Sequence, residues 1–287
     1  MPLEPIKNLM ANAKQGLYAV GYFESWNFES LQGVIDAAEQ TRSPIIIGFS
    51  GEFLSQRKGG SENDLATYGA MGRAFAENAR VPCGFIFNEC SRDSWVERAI
   101  TTGFNLVMPA DPEAPFEEYQ QRVKRLTQTA HDRSVAVEAD VEGQEGEDTA
   151  AYAERATRFV KATGVDLLAV SVGNEEIRLS GQAPLDLERV ERVHAKTDMP
   201  LVLHGGTGIE TDSLKGAIHL GVRKVNYGTY IKQRYLPVIR TTLASREPNP
   251  HALVGDGSET DMMVLGRRAV RDAVLERIDL LGSVGKA

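Results

Sequence analysis

Residues 201–209, LVLHGGTGI, join a short apolar run to a glycine-rich loop, with a histidine at the junction. Residues 224–229, KVNYGT, repeat the pattern of a largely apolar run that ends in small and polar residues. Nearly continuous apolar runs are typical of strands that are covered on both faces in a parallel sheet. The two stretches therefore predict two parallel strands, each followed by a loop that can bind a ligand.

Six further apolar runs precede these two, and amphipathic segments separate the runs. Leu31, Val34, Ile35 and Ala38, for example, have the spacing of one helix face. Eight strands with helical crossovers in roughly 250 residues are typical of a (β/α)8 TIM barrel. The six earlier runs are residues 18–23, 44–49, 83–87, 104–108, 135–139 and 167–172.

A doubly wound open sheet is the main competing fold. It predicts a Gly-x-Gly-x-x-Gly turn after the first strand, whereas residues 23–27 read FESWN. No linker or change in composition divides the chain, so we expect one barrel domain over residues 1–287. Residues 259–282 form a long amphipathic segment, predicted as a C-terminal helix that could contact another subunit.

Composition excludes several classes of protein. Of the 287 residues, 42% are hydrophobic and 25% are charged, which is ordinary for a globular protein, and the net charge is −8. The acidic balance argues against nucleic acid as a partner. No apolar run approaches the ~20 residues needed to cross a bilayer. With only two cysteines, Cys83 and Cys90, we expect a reduced cytoplasmic protein that does not bind membranes.

Polar side chains follow each predicted strand. In a barrel the carboxyl ends of the strands face the active site. Carboxylates dominate these ends, and so many acids repel one another unless a cation lies among them or some are protonated. From the first strand to the eighth, the residues are Glu24, Ser25, Ser50, Glu52, Asn88, Glu89, Asp111, Glu138, Asp140, Asn174, Glu175, Glu176, His204, Asn226 and Thr229.

The loops after the seventh and eighth strands predict an anion site. Glycines let backbone N–H groups approach an anion, and the N-terminus of the following helix favours negative charge. In barrels this pair of loops often binds phosphate. The residues predicted to bind it are Gly205, Gly206, Thr207, Gly208, Asn226, Gly228 and Thr229.

The chain resembles the class II, metal-dependent fructose-bisphosphate/tagatose-bisphosphate aldolase family. The resemblance rests on residues 18–50, 81–111, 165–176, 200–209 and 224–229, in order along nearly the whole chain. It implies a divalent metal, usually zinc, that stabilises the enediolate of a ketose phosphate during aldol cleavage or condensation. It also implies a homodimer or homotetramer, and it places Ser50 at the position of a substrate-contacting serine.

The metal positions depart from the family pattern. The family's third strand ends in Asp-His, and those positions here are Asn88 and Glu89. Its sixth-strand histidine corresponds to the Glu175-Glu176 segment, and its third metal histidine is retained as His204. By position, the metal ligands become Glu89, Glu176 and His204, a set that suits Mn²⁺, Mg²⁺ or Fe²⁺ as well as Zn²⁺. Alternatively, the metal is lost and the acids transfer protons.

The residue that moves the proton is also changed. Asn88 stands at the catalytic Asp position but cannot accept a proton at neutral pH. Glu138 is the preferred replacement, with Asp140 and Glu175 as the other candidates, because a carboxyl beside other carboxylates has a raised pKa that suits acid–base work.

These substitutions leave three hypotheses for the function. The first is an aldolase-like lyase acting on a phosphorylated or related anionic ketose or keto sugar. The second is an enzyme that isomerises, epimerises or decarboxylates a sugar phosphate through enolisation. The third is a non-catalytic protein that binds sugar phosphates.

Overall fold

In the computed structural model, which describes residues 3–175, 180–245 and 247–287, eight parallel strands close into a barrel in chain order, and the last pairs with the first. This confirms the predicted (β/α)8 TIM barrel. The strands are β1 (Val20–Glu24), β2 (Ile45–Ser50), β3 (Cys83–Cys90), β4 (Leu106–Pro109), β5 (Ala136–Val141), β6 (Leu167–Val170), β7 (Leu201–Leu203) and β8 (Val222–Tyr227).

Helices cover the outside of the barrel and one of its ends. Four of the helices in the described residues begin within four residues of the strand that precedes them, which places these strand ends and helix N-termini on one face of the barrel. The helices are α1 (Ile6–Gly16), α2 (Phe28–Thr41), α3 (Gly51–Ser55), α4 (Asp64–Asn78), α5 (Asp93–Ile100), α6 (Phe116–His131), α7 (Thr149–Thr163), α8 (Leu187–Thr197), α9 (Thr211–His219), α10 (Thr229–Leu243), α11 (Pro250–Leu253) and α12 (Met262–Leu280).

Helix α1 closes the end of the barrel that lies opposite the strand carboxyl ends. Ile6, Leu9 and Met10 are buried in one cluster with inward side chains of the strands, including Val20 and Ile46. A second, larger apolar cluster fills the space between the sheet and the outer helices. With one end closed by apolar side chains, the strand carboxyl ends form the open mouth.

The predicted C-terminal helix is present as α12, and it packs mainly against α2. The close approach requires a glycine, since a Cβ on Gly33 would lie 2.6 Å from the backbone oxygen of Arg267. A contact between α12 and another subunit stays a prediction. Across the described part of the chain, no helix has both the length and the apolar character that crossing a bilayer requires.

Strand β3 is irregular where it reaches the mouth. Its register with β4 shifts between Phe87 and Cys90, and Glu89 has a φ of 54°. Left-handed backbone is unfavourable for a residue with a Cβ and is often found at functional sites. Of the five non-glycine residues with positive φ in the described ranges, only Glu89 lies inside a strand. The five are Leu17, Arg42, Glu89, Ser134 and Asp198.

The strain at Glu89 can be measured with two substitutions that both remove its carboxylate. Because glycine adopts positive φ without steric cost, we expect Glu89→Gly to be more stable than Glu89→Ala by about 1 kcal/mol. Urea unfolding of both variants measures the difference. Equal stability, or a more stable alanine variant, would show that the left-handed backbone at this position carries no strain.

Candidate active site

His204 lies at the mouth between two carboxylates. Its Nδ1 is 2.7 Å from Oε1 of Glu89, and its Nε2 is 3.1 Å from Oε1 of Glu138. Burial opposes ionisation of Glu89, but its hydrogen bond to His204 and the histidine's charge outweigh burial and lower its pKa. The His204 side chain is only 8% exposed, and its contacts with the two acids fix its orientation.

A buried lysine that was not predicted from the sequence supports this arrangement. Lys224 is fully buried, and its Nζ is 2.8 Å from Oε2 of Glu138 and 2.6 Å from Oδ1 of Asn226. Burial of Glu138 disfavours its charged form, but the charge of Lys224 and the hydrogen bond to His204 lower its pKa. Glu138 is therefore held as a carboxylate that orients His204, at a position with no solvent access.

One cavity, here called the main cavity, opens beside His204 and has a volume of about 240 Å³. It brings together residues at or just after the ends of five strands of the barrel, β1, β2, β3, β7 and β8. It also contains three buried polar atoms without a hydrogen-bond partner among the described residues: the Tyr22 hydroxyl, Asn88 Oδ1 and Asn226 Nδ2. Predicted site residues in its lining are Ser50, Asn88, Glu89, His204, Gly205, Thr207, Asn226, Gly228 and Thr229.

The glycine loop after β7 forms one wall of this cavity. Gly205 has a φ of 64°, and residues 206–208 form a short 3-10 turn in which Gly206 and Gly208 are buried behind the lining. The Thr207 hydroxyl accepts a hydrogen bond from the backbone N–H of Tyr230 at 3.1 Å. This contact joins the turn to the first turn of α10, so the loop and the helix N-terminus face the same space.

Glu24 lines the same cavity and pairs with a lysine from α10. Its carboxylate lies 2.5 Å from Lys232 Nζ, and a Cβ on Gly228 would approach Glu24 Oε2 to 2.5 Å. Burial raises the pKa of Glu24, although Lys232 partly offsets this effect. The absence of a side chain at Gly228 thus lets the carboxylate lie directly beside the predicted anion site.

Asp140 lines a second cavity of about 220 Å³ on the other side of His204. Burial raises the pKa of its carboxyl, and a hydrogen bond from the Tyr119 hydroxyl partly counteracts this rise. Asn174 lines the same cavity, and its Nδ2 donates to the backbone oxygen of His204. Unlike Glu138, Asp140 combines a raised pKa with access to a cavity.

Two acids after β6, Glu175 and Glu176, were predicted as site residues. Glu175 is exposed, and Glu176 lies outside the described residues. Among the described residues, no group of three or more His, Cys, Asp or Glu side chains is arranged to hold a metal ion. Glu89 and His204 do fit two ligand positions, because they touch each other and share a cavity with the unpartnered Asn88 Oδ1.

Comparisons with known proteins all point to one family. The family model for class II fructose-bisphosphate aldolase matches residues 4–286. The fructose-bisphosphate aldolase of Geobacillus stearothermophilus is 33% identical over 300 residues, covering 100% of this chain and 99% of that protein. The probable fructose-bisphosphate aldolase of Bacillus subtilis (strain 168) is 32% identical and is covered completely by the alignment, as is this chain.

A solved structure supports the same assignment. The crystal structure of the YdjI aldolase from Escherichia coli K12 has a TM-score of 0.84 and 32% identity, covering 99% of both chains. The resemblance inferred from the sequence is confirmed, and the function is that of an aldolase-type lyase. Isomerase-type chemistry and a purely binding role are not favoured. The chain belongs to the class II fructose-bisphosphate aldolase family.

Proposed function

We propose that this enzyme cleaves and forms a carbon–carbon bond of a ketose phosphate in the main cavity. One observation carries the proposal: the Glu89–His204 pair and the glycine loop after β7 line the same cavity. The phosphate would bind between the glycine loop after β7 and the N-terminus of α10, with Thr207 and Thr229 as hydroxyl donors. Ser50, Asn88 and Asn226 would contact substrate oxygens.

We further propose that Glu89 and His204, with Glu176, hold the divalent metal that class II membership implies. When bound, such an ion polarises the ketose carbonyl as a Lewis acid. Glu138 and Lys224 serve this site indirectly, because the buried ion pair fixes the tautomer and ring orientation of His204. Carboxylate ligands suit Mn²⁺, Mg²⁺ or Fe²⁺ as well as Zn²⁺.

Asp140 is our candidate for proton transfer, in preference to Glu138. His204 lines both the main cavity and the cavity of Asp140, so we place the breaking bond beside His204, where the two cavities meet. In cleavage, the Asp140 carboxylate would accept the proton of the hydroxyl beside that bond, and the same acid would then protonate the carbon left behind. A raised pKa brings a carboxyl closer to the neutral range, where it can both accept and return a proton. Glu138, by contrast, is paired with Lys224 and has no exposed surface.

Asn88 would bind substrate rather than move a proton. Its amide cannot accept a proton at neutral pH, but its buried Oδ1 can accept a hydrogen bond from a substrate hydroxyl.

Family membership also supports a cytoplasmic homodimer or homotetramer, which we propose for this enzyme and which sedimentation analysis would test.

The metal assignment predicts a specific pattern of metal loss. Purified wild-type enzyme should contain a stoichiometric divalent metal, and EDTA should remove both the metal and the activity. Glu89→Gln and His204→Ala should each lose most of the metal, as measured by elemental analysis. Glu52→Gln is a matched control, since Glu52 lines the same cavity but accepts hydrogen bonds from Gln56 and Ser91 instead. Wild-type metal content in both ligand variants would contradict the assignment.

The role of Asp140 predicts a pH effect with a definite sign. Since the carboxylate is the active base, activity should rise with pH as Asp140 loses its proton. Tyr119→Phe removes a hydrogen bond that lowers the pKa of Asp140, so the acidic limb of kcat against pH should move to higher pH. Asp140→Asn should lose about 100-fold or more in kcat.

Tyr152→Phe provides the control for this measurement. Tyr152 is a buried tyrosine whose hydroxyl donates to the backbone oxygen of Val141 at 2.6 Å. Its replacement should leave the acidic limb in place. An unmoved limb in Tyr119→Phe, or near-normal turnover in Asp140→Asn, would exclude Asp140 as the base.

A further inference from the structure

Tyr22 contributes a buried hydroxyl group to the main cavity. The residue lies within β1, is 2% exposed and lines the cavity. Its Oη has no hydrogen-bond partner in the described part of the chain. Buried polar atoms are almost always hydrogen-bonded in folded proteins. We therefore expect a molecule bound in the cavity to supply the missing partner.

A second donor lies on the neighbouring strand. Tyr22 and Asn226 are partners in the parallel register of β1 and β8, and Asn226 lines the same cavity. The ammonium of Lys224 can only donate, and its Nζ lies 2.6 Å from Asn226 Oδ1. This contact fixes the orientation of the amide. It leaves Asn226 Nδ2 as a buried donor without a partner among the described residues.

Burial and three nearby carboxylates keep Tyr22 protonated. Burial is the larger effect, and the negative charges of Glu24, Glu89 and Glu138 act in the same direction, so the pKa of the Tyr22 hydroxyl lies well above its usual value. Each of these carboxylates already contacts a lysine or His204. The hydroxyl is therefore a neutral donor throughout the physiological pH range, and its proton is available to a substrate.

The phenol ring holds this hydroxyl in place. Lys224 Nζ lies 5.1 Å from the centre of the Tyr22 ring, which is within the range of a cation–π contact. The ring also belongs to the apolar cluster that α1 covers at the closed end of the barrel. Both contacts are independent of the hydroxyl, so the donor is positioned before a substrate binds. Donors that are preorganised in this way stabilise developing charge without the cost of reorientation.

Two donors match a particular kind of substrate oxygen. A carbonyl or enolate oxygen only accepts hydrogen bonds, whereas a hydroxyl also has a proton to donate. For a hydroxyl, the main cavity offers an unpartnered acceptor on another strand, Asn88 Oδ1 of β3. Negative charge on a substrate oxygen would be repelled by the carboxylates near Tyr22 unless neutral donors contact that oxygen. The donor pair therefore suits an oxygen that becomes negatively charged.

We propose that Tyr22 Oη and Asn226 Nδ2 donate hydrogen bonds to the ketose carbonyl oxygen, and that these bonds strengthen as this oxygen gains negative charge. This inference rests on the proposed function, since it assigns two donors to the same reaction. In cleavage, the hydroxyl beside the breaking bond gives its proton to Asp140 and becomes the aldehyde carbonyl. The electron pair of the broken carbon–carbon bond moves toward the ketose carbonyl, whose oxygen is an enolate oxygen until the carbon is protonated.

Removal of the Tyr22 hydroxyl tests this role. Dihydroxyacetone phosphate in D2O gains deuterium when an enzyme forms its enolate, so NMR spectroscopy with the metal-loaded enzyme measures enolate formation without any aldehyde. Tyr22→Phe keeps the ring and removes only the donor. We expect kcat for this exchange to fall by roughly 10- to 100-fold. KM and the metal content should be nearly unchanged, because the hydrogen bond is stronger to the enolate than to the bound ketose.

Tyr227→Phe is the matched control. Tyr227 is also fully buried, and its hydroxyl lacks a partner within the described ranges, yet the residue does not line the main cavity. Its replacement should leave the exchange at the wild-type rate. Thermal unfolding of both variants checks that they are folded.

A loss of kcat that is confined to Tyr22→Phe, with normal metal content, supports the proposal. Unchanged exchange in Tyr22→Phe, a loss seen only in KM, loss of the metal, or an equal loss in Tyr227→Phe overturns the proposal while leaving the aldolase function intact. Absence of exchange in the wild-type enzyme overturns the proposed function, and this inference with it.

Discussion

The ion pair between Glu138 and Lys224 is the interaction on which the rest of the site depends. Both side chains are fully buried, and charges in such a place persist only when they are paired and hydrogen-bonded. Asn226 accepts from the ammonium, and His204 contacts the carboxylate. The pair therefore connects β5, β7 and β8 through side chains and fixes the histidine at the mouth.

The other contact of the histidine is fixed in a different way. Glu89 reaches His204 from a strand whose register breaks and whose backbone is left-handed at that residue. The imidazole Nε2 is thus held by the buried carboxylate of Glu138, and Nδ1 is held by Glu89, whose backbone conformation is unfavourable. Such a conformation persists because the surrounding barrel determines the path of the strand.

Sequence patterns predicted the barrel because each strand is buried on both faces and reads as an apolar run. The rule that strand carboxyl ends face the site also located Ser50, Asn88, Glu89 and His204. Lys224 was missed because its direction depends on register: it follows the same inward alternation as Asn226, yet a lysine in a strand is expected to point outward. Lys232 and Tyr22 were missed for similar reasons, as neither stands at a strand end.

The choice between the two acids of β5 also required coordinates. Glu138 and Asp140 lie two residues apart on the same strand, and the sequence favoured Glu138 as the proton carrier. Burial and partners separate them, since Glu138 is held by Lys224 whereas Asp140 reaches a cavity. The residue types along the strand do not reveal this difference in partners and in access to a cavity.

Helix α1 also affects the ion pair between Glu138 and Lys224. By filling the closed end of the barrel with Ile6, Leu9 and Met10, it keeps bulk water away from the floor beneath Lys224. The local dielectric constant there stays low, and the attraction between ammonium and carboxylate is correspondingly strong. An N-terminal helix at the closed end of the barrel thereby acts as electrical insulation for the ion pair beneath the candidate site at the opposite end.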